Sequence, residues 1–216
     1  YVTGMDLSKF LKQNGGRISW KELKPILYQV VSALKRVHER GKIHCDISPD
    51  NIFLMENGQV KLLDFGAAKS TLRGAVDTSV VVAKPAYAPC EQMQGKDMGP
   101  WTDIYALGVT IYSCVTGMLP PKSEERIVND HTVWPSATGF PLPSPNWEKA
   151  LRRAMALKRE DRYQSVVEFW NAMTCGDMTS PVTPTNPVYP PPPPPRDPHT
   201  VRTVPEKSGQ GRTGVP

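Results

Sequence analysis

The chain has 216 residues, a formal net charge of +5 and 39% hydrophobic residues, which is enough for one packed domain of ordinary size. Lys and Arg are scattered among Asp and Glu rather than gathered into a stripe, which argues against a nucleic-acid partner. No apolar run reaches the ~20 residues of a membrane span, no secretory leader is visible, and Cys45, Cys90, Cys114 and Cys175 show neither a C-x-x-C pair nor metal-ligand spacing, so the composition reads as a cytoplasmic protein with reduced thiols.

Met5 to Gln13 reads as a short helix stopped by Asn14-Gly15-Gly16. Ser19-Trp20-Lys21-Glu22 is a capping box, which supplies partners for two main-chain N–H groups at a helix start. Behind it Leu23, Ile26, Leu27, Val30, Val31, Leu34 and Val37 recur at helical spacing and predict one buried stripe, with Gly41 closing the helix. Ile52 to Met55 and Gln59 to Leu63 flank Glu56-Asn57-Gly58 and predict a hairpin. Ala67 to Pro89 has no periodicity and reads as a long functional loop. Trp101 to Gly117 is apolar all round and predicts a buried helix. Ser144-Pro145 is expected to open a helix to about Leu157, and Ser165-Val166-Val167-Glu168 a last one to about Met173. From Thr179 on, the chain is rich in Pro, Thr and Ser, with Pro190 to Pro195 unbroken, and is expected to be a disordered polyproline-type tail. The expected division is therefore a folded unit over 1–176 and a tail or linker over 177–216.

One stretch carries chemistry. His44-Cys45-Asp46-Ile47-Ser48-Pro49-Asp50-Asn51 is followed, across the hairpin, by Asp64-Phe65-Gly66. Two carboxylates and a carboxamide in this order suit the acceptance of a hydroxyl proton and the holding of metal ions on nucleotide phosphates. The order and spacing match His-Arg-Asp-x-x-x-x-Asn and Asp-Phe-Gly of protein kinases, with cysteine where arginine is usual. The chain resembles the C-terminal lobe of a Ser/Thr protein kinase, in a variant that looks bacterial. The fold this implies is mostly α, with one small β-hairpin, the N-terminal lobe absent and the Pro-rich tail disordered.

The resemblance implies ATP and Mg²⁺ as cofactors and a protein hydroxyl as acceptor. It implies Asp46 as the base and Asn51 and Asp64 as metal ligands. It places Tyr1-Val2-Thr3-Gly4-Met5-Asp6 at the hinge, so that Val2 meets adenine by main chain, Asp6 faces the ribose and Phe53 forms the adenine floor, with Asp50 beside the nucleotide. Glu91 of Pro89-Cys90-Glu91-Gln92 is expected to pair with Arg162, and Asp103 to brace the catalytic loop. Cys45 removes the arginine that answers a phosphorylated activation loop, so control by that route is not expected. Ser48 replaces the usual lysine, while Lys84 stands where threonine is usual, which implies a phosphate-steadying cation moved from one segment to the other.

The Gly-rich loop, its lysine and the partnering glutamate do not precede Tyr1, so the chain by itself is expected to lack turnover, as the larger lobe of an intact kinase. The alternative is a catalytically inactive remnant or pseudokinase that binds partners. Retention of Asp46, Asn51 and Asp64 together favours the enzyme. Pro190 to Arg196 also fits a PxxPxR ligand for a proline-recognising groove, and an anchor beyond Pro216 would suit bacterial relatives.

Overall fold

The computed structural model describes residues 3–64, 69–70 (main chain only), 84–95 and 97–176. Its axis is helix α4 (Pro100–Thr116), where every side chain from Thr102 onward is buried. A helix that is apolar all round has no face to offer water, so the others pack around it. Helix α2 (Trp20–Glu39) lays the stripe Leu23, Ile26, Leu27, Val30, Val31 and Leu34 into this core. Helices α6 (Trp147–Ala154) and α7 (Val166–Thr174) cover the other side. The approach of α6 is close enough that a Cβ on Gly108 would lie 2.8 Å from Met155 Cγ, which explains a glycine inside a helix. Gly117 ends α4 at φ 73, a left-handed conformation that glycine adopts at little cost, and its N–H donates to Ser113 O at 2.9 Å.

The capping box forms as the spacing predicts. Ser19 Oγ accepts from Glu22 N, and Ser19 N donates to Glu22 Oε2 at 3.0 Å. Three short helices complete this unit among the described residues: α1 (Leu7–Gln13), which adds Leu7, Phe10 and Leu11 to the core, α3 (Cys90–Met93) and α5 (Ser123–Val128). α1 packs on the 3₁₀ turn Pro49–Asn51.

Strand content corrects the expectation of a lone hairpin. β3 (Ile52–Met55) and β4 (Val60–Leu62) do pair, with Ile52 opposite Leu62. A further strand, β1 (Gly4–Asp6), adds to the free edge of β3 with Asp6 opposite Phe53, giving an antiparallel sheet in the order β1-β3-β4. β2 (Lys42–Ile43) and β5 (Lys69–Ser70) form a separate two-stranded ladder. Three residues are too few to display alternation, and the partner of β1 lies far along the chain, so local pattern is blind to it. The same strand explains why α1 begins at Leu7: Asp6 closes β1 and serves as the N-cap, accepting from Lys9 N at 2.8 Å.

Helix α6 starts at Trp147, later than Ser144-Pro145 predicts. Ser144 to Asn146 instead turn the chain so that Trp147, wholly buried, enters between Trp20 and Phe140 with ring centroids 5.4 Å from each. Core burial of a large aromatic outweighs a serine cap worth about 1 kcal/mol. The segments 67–68 and 71–83 of the expected long loop, and the expected tail 177–216, lie outside the described residues.

Candidate active site

The catalytic-type loop hangs from α4. Asp103, in the first turn of that helix and fully buried, accepts from the main-chain N–H of His44 at 2.9 Å and of Cys45 at 2.8 Å. Its Oδ2 also accepts from His38 Nε2 at 2.8 Å. Cys45 takes the left-handed conformation at φ 64, strained for a residue with a Cβ, and is held there from both sides. Asp103 grips its N–H, and Gln92 Nε2 donates to its carbonyl. This turn presents the next residue, Asp46, half-buried at the surface of the loop.

Asn51 then ties the loop into a ring. Its Nδ2 donates to Asp46 O at 2.8 Å and to Asp46 Oδ2 at 2.7 Å. With the amide nitrogen so engaged, the amide oxygen is the atom left to ligate a hard cation. The β3–β4 ladder brings the chain back, and Leu63 N donates to Asn51 O at 2.8 Å, so Asp64 emerges beside Asn51 at φ 59. Buried His44 locks the two segments together: Asp46 N donates to its Nδ1 at 3.3 Å, which places the ring proton on Nε2, facing Leu63 O at 3.1 Å. Burial pushes the His44 imidazole below its usual pKa, against the opposing pull of Asp103 and Asp46, so it stays neutral.

Lys84 Nζ donates to Ser48 Oγ at 2.8 Å and pairs with Asp50 Oδ2 at 3.1 Å. Ser48 is fully buried and Asp50 exposed. Lys84 and Asp46 line one small cavity. The structure thus brings together Asp46, Ser48, Asp50, Asn51, Asp64 and Lys84. Phe53 and Asp6 face one another across β1 and β3, but the Asp6 carboxylate is already engaged with Lys9, N–H and ammonium both. Burial would raise its pKa, yet those bonds to Lys9 hold it below the usual range. Val2, Phe65 and Gly66 lie outside the described residues. The donor set of carboxylate and carboxamide oxygens fits Mg²⁺, which takes few protein ligands and keeps much of its water.

Glu91 and Arg162 meet as expected, in a forked pair at 2.6 and 3.2 Å, with the guanidinium wholly buried. Arg162 also donates to Ala156 O, Leu157 O and Trp101 O, so its charge is fully satisfied. Two supports were not legible in the sequence. Gln92 gives no local signal because its partner, Cys45, is remote in the chain; His38 reads simply as a helix residue near a C-terminus. A roomier cavity of about 640 Å³, lined by Ile18, Trp20, Phe140 and Leu142, shares no residue with this loop. Volume points there, but the clustered carboxylate, carboxamide and ammonium groups stand around Asp46.

Comparison with known proteins agrees with this geometry. The sequence matches the family described as protein kinase domain over residues 1–186. The chain belongs to that family. It is similar to the serine/threonine-protein kinase Pkn1 of Myxococcus xanthus, 39% identical over 68% of this chain and 23% of that protein. It is also similar to the probable serine/threonine-protein kinase PknB of Bifidobacterium longum (32%, covering 78% of this chain and 26% of that protein) and to the tyrosine-protein kinase MasK of Myxococcus xanthus (34%, 80% and 29%). The chain therefore spans about a quarter of the length of these relatives. Among solved structures it resembles the PpkA-294 apo form, with TM-score 0.68 and 34% identity over 80% of this chain and 61% of that one. It likewise resembles the PknI kinase domain of Mycobacterium tuberculosis, with TM-score 0.62 and 26% identity over 81% and 63%.

These matches overturn the fold class expected from the sequence, a C-terminal lobe with its N-terminal lobe absent. The family match begins at residue 1 and runs past 176, and the structural likeness is to kinase chains of which this one covers more than half. The physical reason is that motifs mark only where chemistry is done. The expectation rests on what precedes Tyr1, and where a sequence begins does not bear on which lobes the fold has.

Proposed function

We propose that this chain carries the catalytic loop and metal-binding residues of a Ser/Thr protein kinase, which transfers the γ-phosphoryl group of ATP to a protein hydroxyl. The observation that carries the reading is the ring closed by Asn51 on Asp46, held on a strained, doubly clamped Cys45. Asp46 orients the acceptor hydroxyl and takes its proton as the oxygen attacks phosphorus. Asn51 Oδ1 and the Asp64 carboxylate hold Mg²⁺, which when bound neutralises charge on the phosphates. Lys84, fixed by Ser48 and Asp50, supplies a cation to the transferring group, the place Ser48 leaves vacant. Phe53 underlies adenine, Val2 meets it by main chain, and Asp6 reaches the ribose by exchanging its Lys9 contact for a hydroxyl.

Residues 177–216 are assigned to a linker, its Pro190 to Arg196 run also fitting the PxxPxR pattern of a ligand for a proline-recognising groove, and catalysis is assigned to the cytoplasm. No described helix is long and apolar enough to cross a membrane. The test is Asp46→Asn in the full-length parent, which keeps shape and removes the basic carboxylate. Radiolabel transfer from ATP to a generic protein substrate should vanish while the melting curve is unchanged. Transfer near the parent rate with an unchanged melt would overturn the assignment of Asp46 as the base, whereas a parent that transfers no label would leave only a binding module.

A further inference from the structure

Beside the catalytic loop lies an apolar hollow that phosphoryl transfer does not use. Its volume is about 220 Å³, and its walls include Leu11 and Lys12 of α1, Asp50 and Tyr87 next to the loop, and Met118 and Leu119 just beyond α4. That is below the roughly 300 Å³ at which small-molecule pockets begin, so it suits one side chain rather than a cofactor. Met118 and Leu119 are 44% and 53% exposed, and nothing among the described residues covers them. The left-handed Gly117 that ends α4 delivers them to this position.

The charges decide what can enter. The ionised groups of the hollow are Lys12 and Asp50. Asp50 is already paired with Lys84 at 3.1 Å. A substrate arginine or lysine would find no unpaired carboxylate among the described lining residues, and it would face Lys12. An aliphatic side chain would bury exposed Met118 and Leu119 without stranding a charge. Asp50 lies four residues after Asp46 on a loop closed by Asn51, so an occupant of the hollow sits within a short peptide's reach of the acceptor hydroxyl, at about 3.3 Å per extended residue.

We propose that this hollow selects protein substrates carrying Leu, Ile or Met a few residues from the phosphoacceptor, and disfavours Arg and Lys there. The inference rests on the kinase reading, since it needs Asp46 to be where the hydroxyl reacts.

The test is phosphorylation of positional peptide libraries, with a fixed Ser/Thr acceptor, by the full-length parent. At one or two flanking positions Leu, Ile or Met should exceed Arg by about tenfold in kcat/KM, the scale on which a hydrophobic pocket discriminates. Met118→Ser combined with Leu119→Ser should collapse that ratio by raising KM for the aliphatic peptides, with kcat and the melting curve unchanged. Met118→Glu combined with Leu119→Glu should turn the preference toward Arg. A parent that prefers Arg or is indifferent at every position, or a double-serine variant that keeps the ratio, would overturn the proposal. Failure to phosphorylate either the libraries or a generic protein overturns the kinase reading itself, and the proposal with it. Transfer to the generic protein with flat libraries overturns the hollow alone.

Discussion

Asp103→Asn is the sharpest probe of how the fold holds the loop. Oδ1 of Asp103 serves Cys45 N, while Oδ2 serves His44 N and His38 Nε2. A carboxamide has one acceptor oxygen and one donor nitrogen, so whichever way it turns, its NH₂ confronts at least one main-chain N–H. Leaving one buried donor unpaired costs about 1–3 kcal/mol. Losing the charge assistance on the remaining bonds adds about 1 kcal/mol. The sum, about 2–4 kcal/mol, corresponds to a fall in Tm of about 5–15 °C for a folded unit of this size. The rate should suffer further. With Asp103 slack, Cys45 can leave its left-handed conformation at φ 64 and carry Asp46 with it. A displacement near 1 Å costs on the order of a hundredfold. Thermal melting of the variant beside the parent, and single-turnover phosphoryl transfer in the full-length protein, measure the two effects. A Tm within about 2 °C of the parent would refute the argument that Asp103 is the anchor.

Other predictions bear on separate features. Lys84→Ala should lower kcat steeply in the full-length parent, and adding Ser48→Lys should restore part of it; normal turnover would reduce Lys84 to an ordinary loop residue. Arg162→Ala strands the Glu91 carboxylate and empties a wholly buried site, so denaturant titration should register a loss of about 3–5 kcal/mol. His44 has its pKa depressed by burial, so the unfolded chain binds a proton the folded one refuses, and its stability contribution is intact above pH ~6.5 and declines as pH falls below it. A melting series from pH 8 to 5 should lose this slope in His44→Gln, and ¹⁵N shifts should report the Nε2–H tautomer. Cys114, wholly buried with its thiol pushed up to about 12, should resist a disulfide reagent until the protein unfolds, whereas exposed Cys175 reacts at once.

Much of the site is legible in one dimension because its chemistry is packed into a short stretch. Asp46, Asn51 and Asp64 stand in an order and spacing that the β3–β4 turn converts directly into proximity. The capping box at Ser19 and the serine cap at Ser165, whose Oγ accepts from Glu168 N, likewise act within one helical turn, so residue type alone announces them. The stripe of α2 and the uniformly apolar α4 declare what must be buried.

What only the tertiary structure decides are partnerships between residues far apart in the chain. β1 becomes a strand because β3 offers it an open edge, and Trp147 rather than Ser144 begins α6 because an aromatic slot waits between Trp20 and Phe140. The clamp on Cys45 needs Asp103 and Gln92 at once, each more than forty residues away. Lys84 is a loop lysine until the fold carries it onto Ser48 and Asp50. Local pattern reports forces that act within a turn or two. Long-range hydrogen bonds and ion pairs are set by which surfaces meet when the core closes, and that depends on the whole chain at once.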